Sequence, residues 1–188
     1  MTEFEYISVL LSIIIGLAVT QLLSGIARLV RDGRSLAPAW WIMALVATLL
    51  LGSLQIWWIS FQWRRIEDWT YFSYVTFMVL PSMIYVLSYL VLPADLHLDG
   101  ATLVREFIAR RRPFYALLGL VPLASYLQQW MLVGDVPLHD VDTLLRLFWL
   151  VAAVPGFVSP RVAVQATVAV ASLAHMLLYI SLLFVQLH

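Results

Sequence analysis

The chain has no cysteine and no lysine, and only 12% of its 188 residues are charged. Without cysteine there is no disulfide, no dithiol redox chemistry and no thiolate metal site. Without lysine there is no amine to form a Schiff base with retinal or pyridoxal phosphate. The eleven basic residues are all Arg, and eleven acidic residues balance them, so bulk charge points to no nucleic-acid partner. No Asp or Glu lies well inside a long apolar run, so carboxylate-based proton or sodium coupling lacks its usual ligand. Histidine is equally sparse: His97, His139, His175 and His188. Only His175 falls deep within an apolar run, and an intramembrane bis-His haem needs two at similar depth. No HExxH, nucleophile elbow, P-loop or glycine-rich nucleotide loop occurs. The sequence therefore assigns no catalytic, cofactor or metal residue, and a non-enzyme is expected. The start, Met1-Thr2-Glu3-Phe4-Glu5, is acidic where a signal peptide is basic, so no removable signal is expected.

What is present is apolar mass. Apolar residues make up 63% of the chain and the mean hydropathy is +0.92. An ordinary soluble domain is about half apolar and about a quarter charged, so a polytopic membrane protein is expected. Charge-free runs cover residues 6–27, 35–63, 69–94, 113–134 and 162–188. A spanning helix needs about 20 mostly apolar residues, which gives five spans. Residues 147–160 are too short alone. Extended back to Val141, with Asp142 and Arg146 snorkelling near one end, they make a short sixth span; a re-entrant hairpin is the alternative. The expected fold is an all-α, single-domain bundle of six transmembrane helices, about 6–30, 38–62, 70–92, 113–134, 141–159 and 161–187. Pro38 and Pro113 mark the starts of the second and fourth helices, and Pro93 and Pro160 the ends of the third and fifth. Pro81, Pro122 and Pro155 fall inside spans and predict kinks, the fifth helix being short and kinked.

Six spans place Arg28, Arg31, Arg34, Arg105, Arg110, Arg111, Arg112 and Arg161 on one face, against Arg64, Arg65 and Arg146 on the other. The positive-inside rule then puts the first face in the cytoplasm and both termini outside. Trp40 and Trp41 fall at the inner boundary, and Trp57, Trp58, Trp63, Trp69 and Trp130 toward the outer one, as interfacial anchors do. In the one long connection, Leu103, Val104, Phe107 and Ile108 recur at helical spacing after Asp99, a cap. This predicts a short amphipathic helix on the cytoplasmic leaflet whose Arg110, Arg111 and Arg112 meet lipid headgroups.

Small residues recur every fourth position in three helices: Ser8, Ser12, Gly16, Thr20 and Ser24; Ala44, Thr48 and Gly52; Ala163, Thr167 and Ala171. Such stripes permit close helix packing in lipid, expected to be within the chain for at least two of the three. His175 continues the last stripe. At a rise of about 1.5 Å per residue it reaches the midplane, with Gln55 and Gln128 outward of it and Arg146 entering from the same side. These four residues form a candidate polar pathway. The simpler expectation for His175 is a neutral side chain bonded to a neighbouring hydroxyl or carbonyl.

Three stretches carry a resemblance. Glu5-Tyr6, then Ser12 through Thr20, then Leu22 through Leu29; the pair Trp57-Trp58; and Leu92-Pro93 followed by Arg111-Arg112-Pro113-Phe114-Tyr115. Over residues 5–120 the chain resembles a group of small uncharacterised bacterial multi-pass inner-membrane proteins. The resemblance implies a bacterial inner-membrane location and no activity. The tryptophan content is also similar to that of the tryptophan-rich sensory proteins, five-span ligand binders, in composition alone. The leading functional expectation is a non-enzymatic scaffold, as a homo-oligomer or an accessory subunit of a larger membrane complex, with the lipid bilayer its constant partner. A small channel through the polar pathway and a sensor of an apolar ligand in a Trp-lined pocket are the alternatives.

Overall fold

A computed structural model describes residues 2–31, 37–66, 68–93, 99–135 and 140–183. Six α-helices carry the fold: α1 Glu3–Arg31, α2 Trp40–Ser60, α3 Tyr71–Val91, α4 Gly100–Val133, α5 Val141–Val158 and α6 Val162–Leu183. Each is long and apolar enough to cross a membrane, α2 together with its flanking 3-10 turns Ala37–Ala39 and Phe61–Arg65. Among the described residues there is no strand. His97, His139, His188, Arg34 and the last residues of the expected sixth span lie outside the described residues.

Local chemistry starts and stops these helices where the sequence supplies it. The Thr2 amide donates to the Glu5 carboxylate (2.8 Å) and the Glu5 amide to Thr2 Oγ1 (3.2 Å) at the start of α1. Thr70 and Ser73 make the same reciprocal cap on α3. Such caps satisfy amides that have no partner in the first turn. Asp99 accepts from the Thr102 amide (2.8 Å) and caps α4, as expected. Gly134 closes α4 with φ of 78°, a left-handed conformation that glycine adopts without penalty. Pro93 and Pro160 stand just beyond α3 and α5, as expected, and α2 begins immediately after the turn that contains Pro38.

Pro113 does not begin a helix. It sits inside α4, which runs unbroken for 34 residues, about 51 Å at 1.5 Å per residue. The expected separate amphipathic helix is therefore the first third of α4. Leu103 and Phe107 are fully buried in the protein core. The physical reason is an aromatic cluster that straddles the proline. Phe107 packs edge-on against Trp41 of α2 (5.3 Å) and against Phe114 (5.2 Å), which packs on Tyr115 (5.1 Å). A proline inside a helix costs about 3 kcal/mol. Aromatic pairs contribute about 0.5–1.5 kcal/mol each beyond the area they bury, so the cluster together with that burial offsets the proline. Arg111 Nη1 also donates to the Ile108 carbonyl (2.9 Å), one turn before the proline.

Packing makes a closed ring. α2 lies on α3, α3 on α4, α4 on α5, α5 on α6, and α6 returns to α2, while α1 leans on α3 and α2 from outside. We call the end where α1 begins the near end and the opposite one the far end. The far half of the ring is solid: Trp41, Ile42 and Leu45 of α2 meet Phe107, Phe114 and Tyr115 of α4 and Val168 and Ala169 of α6 in one buried cluster.

The small-residue stripes divide differently from expectation. Only the α2 stripe faces inward throughout, with Thr48 buried and Gly52 opposite Met176 of α6. In α1, Ser12, Gly16, Thr20 and Ser24 are exposed, and nothing lies within 4 Å of where a Cβ on Gly16 would stand. In α6, Ala163 and Thr167 are exposed and Ala171 is half-buried. The reason lies in the bulkier residues. Ile7, Leu11, Ile15, Leu22 and Leu29 form the buried face of α1, and Gly25 on that face packs tightly against Leu92, just past the end of α3. A Cβ there would fall 2.7 Å from Leu92 Cδ1. Gln21 beside it donates to the Leu92 carbonyl (2.8 Å), which lies at the helix end just before Pro93.

Candidate functional site

The near half of the ring is hollow. A cavity of about 130 Å³ lies between α2, α3, α4, α5 and α6. Its walls are mostly apolar: Ile56 and Ile59 of α2, Leu80 and Ile84 of α3, Leu118 of α4 and Met176 of α6, with Trp63 and Trp149 at its sides. Gly52 leaves room on the α2 wall, and Pro122 lies on the α4 wall. Toward the far end the space stops at the buried cluster around Trp41 and Tyr115.

Polar groups converge on one side of this cavity. Arg146, one turn into α5, donates from Nε to Asp142 Oδ1 (3.1 Å) and from Nη2 to Asp142 Oδ2. Its Nη1 donates to Ser125 Oγ (3.0 Å) and to Gln129 Oε1 (2.8 Å), both on α4. The Tyr179 hydroxyl of α6 donates to Asp142 Oδ1. The Tyr126 hydroxyl donates to the Thr143 carbonyl (2.7 Å) and adds a further tie between α4 and α5. A buried guanidinium requires such saturation, because each unmet donor or charge in an apolar setting is costly. The local sequence explains the geometry. Asp142 and Arg146 are four apart on α5, Ser125 and Gln129 four apart on α4, and residues at that spacing share a helix face.

The structure brings Gln55, Gln128 and Arg146 of the expected polar pathway together on the cavity wall. His175 is separate from them. It stacks on Phe148 (3.9 Å, 15° between planes), has Trp149 edge-on at 5.4 Å and Tyr179 beyond at 6.1 Å. Its Nε2 is buried without a hydrogen-bond partner. Its ring is also hydrogen-bonded to the Leu145 backbone, as expected of a side chain paired with a neighbouring carbonyl, so His175 combines one polar tie with its place in an aromatic stack. We expect His175→Ala to cost about 2 kcal/mol or more in thermal unfolding in detergent, from the space left and the lost stack. His175→Phe should retain more of that stability than His175→Gln. The reverse order would show that a polar contact, and not the stack, holds the position.

Sequence reasoning missed Ser125, Gln129, Asp142 and Tyr179. Asp142 reads in sequence as an interfacial residue because it stands near the start of the fifth span. The available signal was the pair of four-residue spacings on consecutive helices. Arg110, Arg111 and Arg112 each have an intramolecular neighbour. Arg110 pairs with Glu106 (2.8 Å), Arg111 bonds the Ile108 carbonyl, and Arg112 lies 6.0 Å from the Phe157 ring. Among the described residues, no three His, Asp or Glu side chains converge as a metal site would require. Compared with protein-family models, with curated proteins and with solved structures, the chain matches none.

Proposed function

We propose that this protein is a membrane-embedded binding protein for a small ligand with an apolar body and a polar group, held in the near half of the five-helix ring. The observation that carries the reading is the cavity itself: apolar walls, one polar side organised by Arg146, and a far end filled by packed aromatic residues. Ligand sites in proteins have this composition, mostly apolar with a few convergent polar groups. A channel would need polar lining that continues through the far half, where Trp41, Phe107 and Tyr115 are packed. The test uses the chain purified in mild detergent. An organic extract of the host membranes should raise its unfolding temperature. Gly52→Leu, whose side chain would extend into the cavity, should abolish that response. Equal responses from both proteins would refute the reading.

The excess of Arg at the far end supports a bacterial inner-membrane orientation with that end cytoplasmic, both termini outside, and the basic stretch of α4 near lipid headgroups. The absence of cysteine makes a direct test available. In intact cells, cysteine at Ala101 should be shielded from an impermeant thiol reagent and cysteine at Gly134 labelled. The opposite pattern would invert the orientation.

The outward stripe of α1 favours a second reading, a scaffold role in which a second chain or a partner subunit packs on Ser12, Gly16, Thr20 and Ser24. Under it, Gly16→Leu leaves the folded single chain intact, since that side chain has open space, and removes only the larger assembly. Loss of the folded chain itself would contradict the placement of α1.

A further inference from the structure

We infer that the ligand is a neutral hydroxyl compound about one six-membered ring in size, whose O–H donates to Gln128 Oε1. This rests on the cavity reading above and narrows it to a chemical class.

Three observations carry the inference. The first is an unmet acceptor. Gln128 lines the cavity and is only 7% exposed, yet its Oε1 is buried with no donor. Several buried polar atoms of the bundle lack a partner, among them His175 Nε2 and Tyr115 Oη, but Gln128 is the one of these three that lines the cavity, where a bound molecule can supply the missing donor. The second is charge. Arg146 is the cationic group at the cavity, and Asp142 neutralises it through two bonds while Ser125 and Gln129 occupy Nη1. A carboxylate or phosphate entering here would bring a second negative charge beside Asp142 and find the guanidinium taken. A neutral ligand meets no such conflict. The third is size. A cavity of about 130 Å³ is close to the ~150 Å³ apolar cavity that accepts benzene. Gln128 then discriminates between rings, because a site with a buried acceptor rejects an analogue that cannot donate to it.

Phenol, toluene and benzoate are the probes, matched in ring and different in polar group. Each is titrated calorimetrically into the full chain in lipid nanodiscs, with empty nanodiscs subtracted. Phenol should bind about tenfold tighter than toluene, the scale expected when a ligand satisfies a buried acceptor. Benzoate should bind at least tenfold more weakly than phenol. Gln128→Met should bring phenol down to the toluene level and leave toluene binding unchanged, which also reports that the variant is folded. Should that variant fail to fold, the phenol-to-toluene ratio of the unaltered chain still decides. Equal binding of phenol and toluene, or benzoate binding best, would overturn the class while leaving the cavity a ligand site. Binding of no probe, with Gly52→Leu indistinguishable from the unaltered chain, would remove both.

Discussion

Asp142→Ala is expected to destabilise the folded chain by about 3 kcal/mol, the scale of breaking a buried ion pair from one side. The side chains of Arg146 and Asp142 are 13% and 24% exposed. Removing the carboxylate leaves the guanidinium with only neutral partners, Ser125, Gln129 and Tyr179, in an apolar helix ring. It also takes the acceptor from the Tyr179 hydroxyl. Coulomb attraction alone would not predict so large a loss, since forming the pair also costs desolvation. The loss arises from the stranded charge. Asp142→Ala combined with Arg146→Met should therefore be closer to the unaltered chain than Asp142→Ala alone. Denaturation in mixed micelles measures both. If the double variant is no better than the single one, the charge is not the source of the cost.

Gly156→Ala should destabilise by about 1–3 kcal/mol, the range for overpacking a tight interior. A Cβ at this position of α5 would fall 2.5 Å from Cε1 and 2.6 Å from Cε2 of Tyr115. Tyr115 has little room to withdraw, because it is 1% exposed and packed on Phe114 and Phe107. The crossing is also locked from the other side. Gln165 of α6 donates to the Gly156 carbonyl (2.8 Å) and the Ser159 carbonyl (2.6 Å), fixing the turn between α5 and α6. Gly156→Ala with Tyr115→Leu should recover stability relative to Gly156→Ala alone, as a smaller side chain yields the space. By contrast Gly16→Ala, with open space at its Cβ, should be close to neutral. Thermal unfolding of the three variants and the unaltered chain in one detergent compares them.

These two glycines show which parts of the molecule were legible in the sequence. Spans were, because about 20 apolar residues without charge satisfy a physical requirement that few other segments meet. Helix ends marked by Asp99, Pro93 and Pro160 were too, since capping and proline act through neighbours in sequence. Interhelical contacts were not. Gly16 and Gly156 look alike as small residues in apolar runs, and only the position of Tyr115 on another helix separates them. Pro113 misled for the same reason. Its local meaning is a helix start, and Trp41, some seventy residues earlier, helps carry the helix through it. At the candidate site, depth arithmetic was enough to bring Gln55, Gln128 and Arg146 to one level. It could not show that Trp149 and Phe148 enclose His175, since that depends on how α5 and α6 are rotated against each other.

The mass of the intact particle, measured in mild detergent, tests the central claim most directly. The chain weighs 21.4 kDa. A binding cavity in the five-helix ring predicts, beyond whole multiples of that mass, an excess equal to one small molecule per chain. The excess should vanish in Gly52→Leu and persist in Gly16→Leu. Whole multiples of the chain with no excess, or an excess that Gly52→Leu leaves in place, would contradict it.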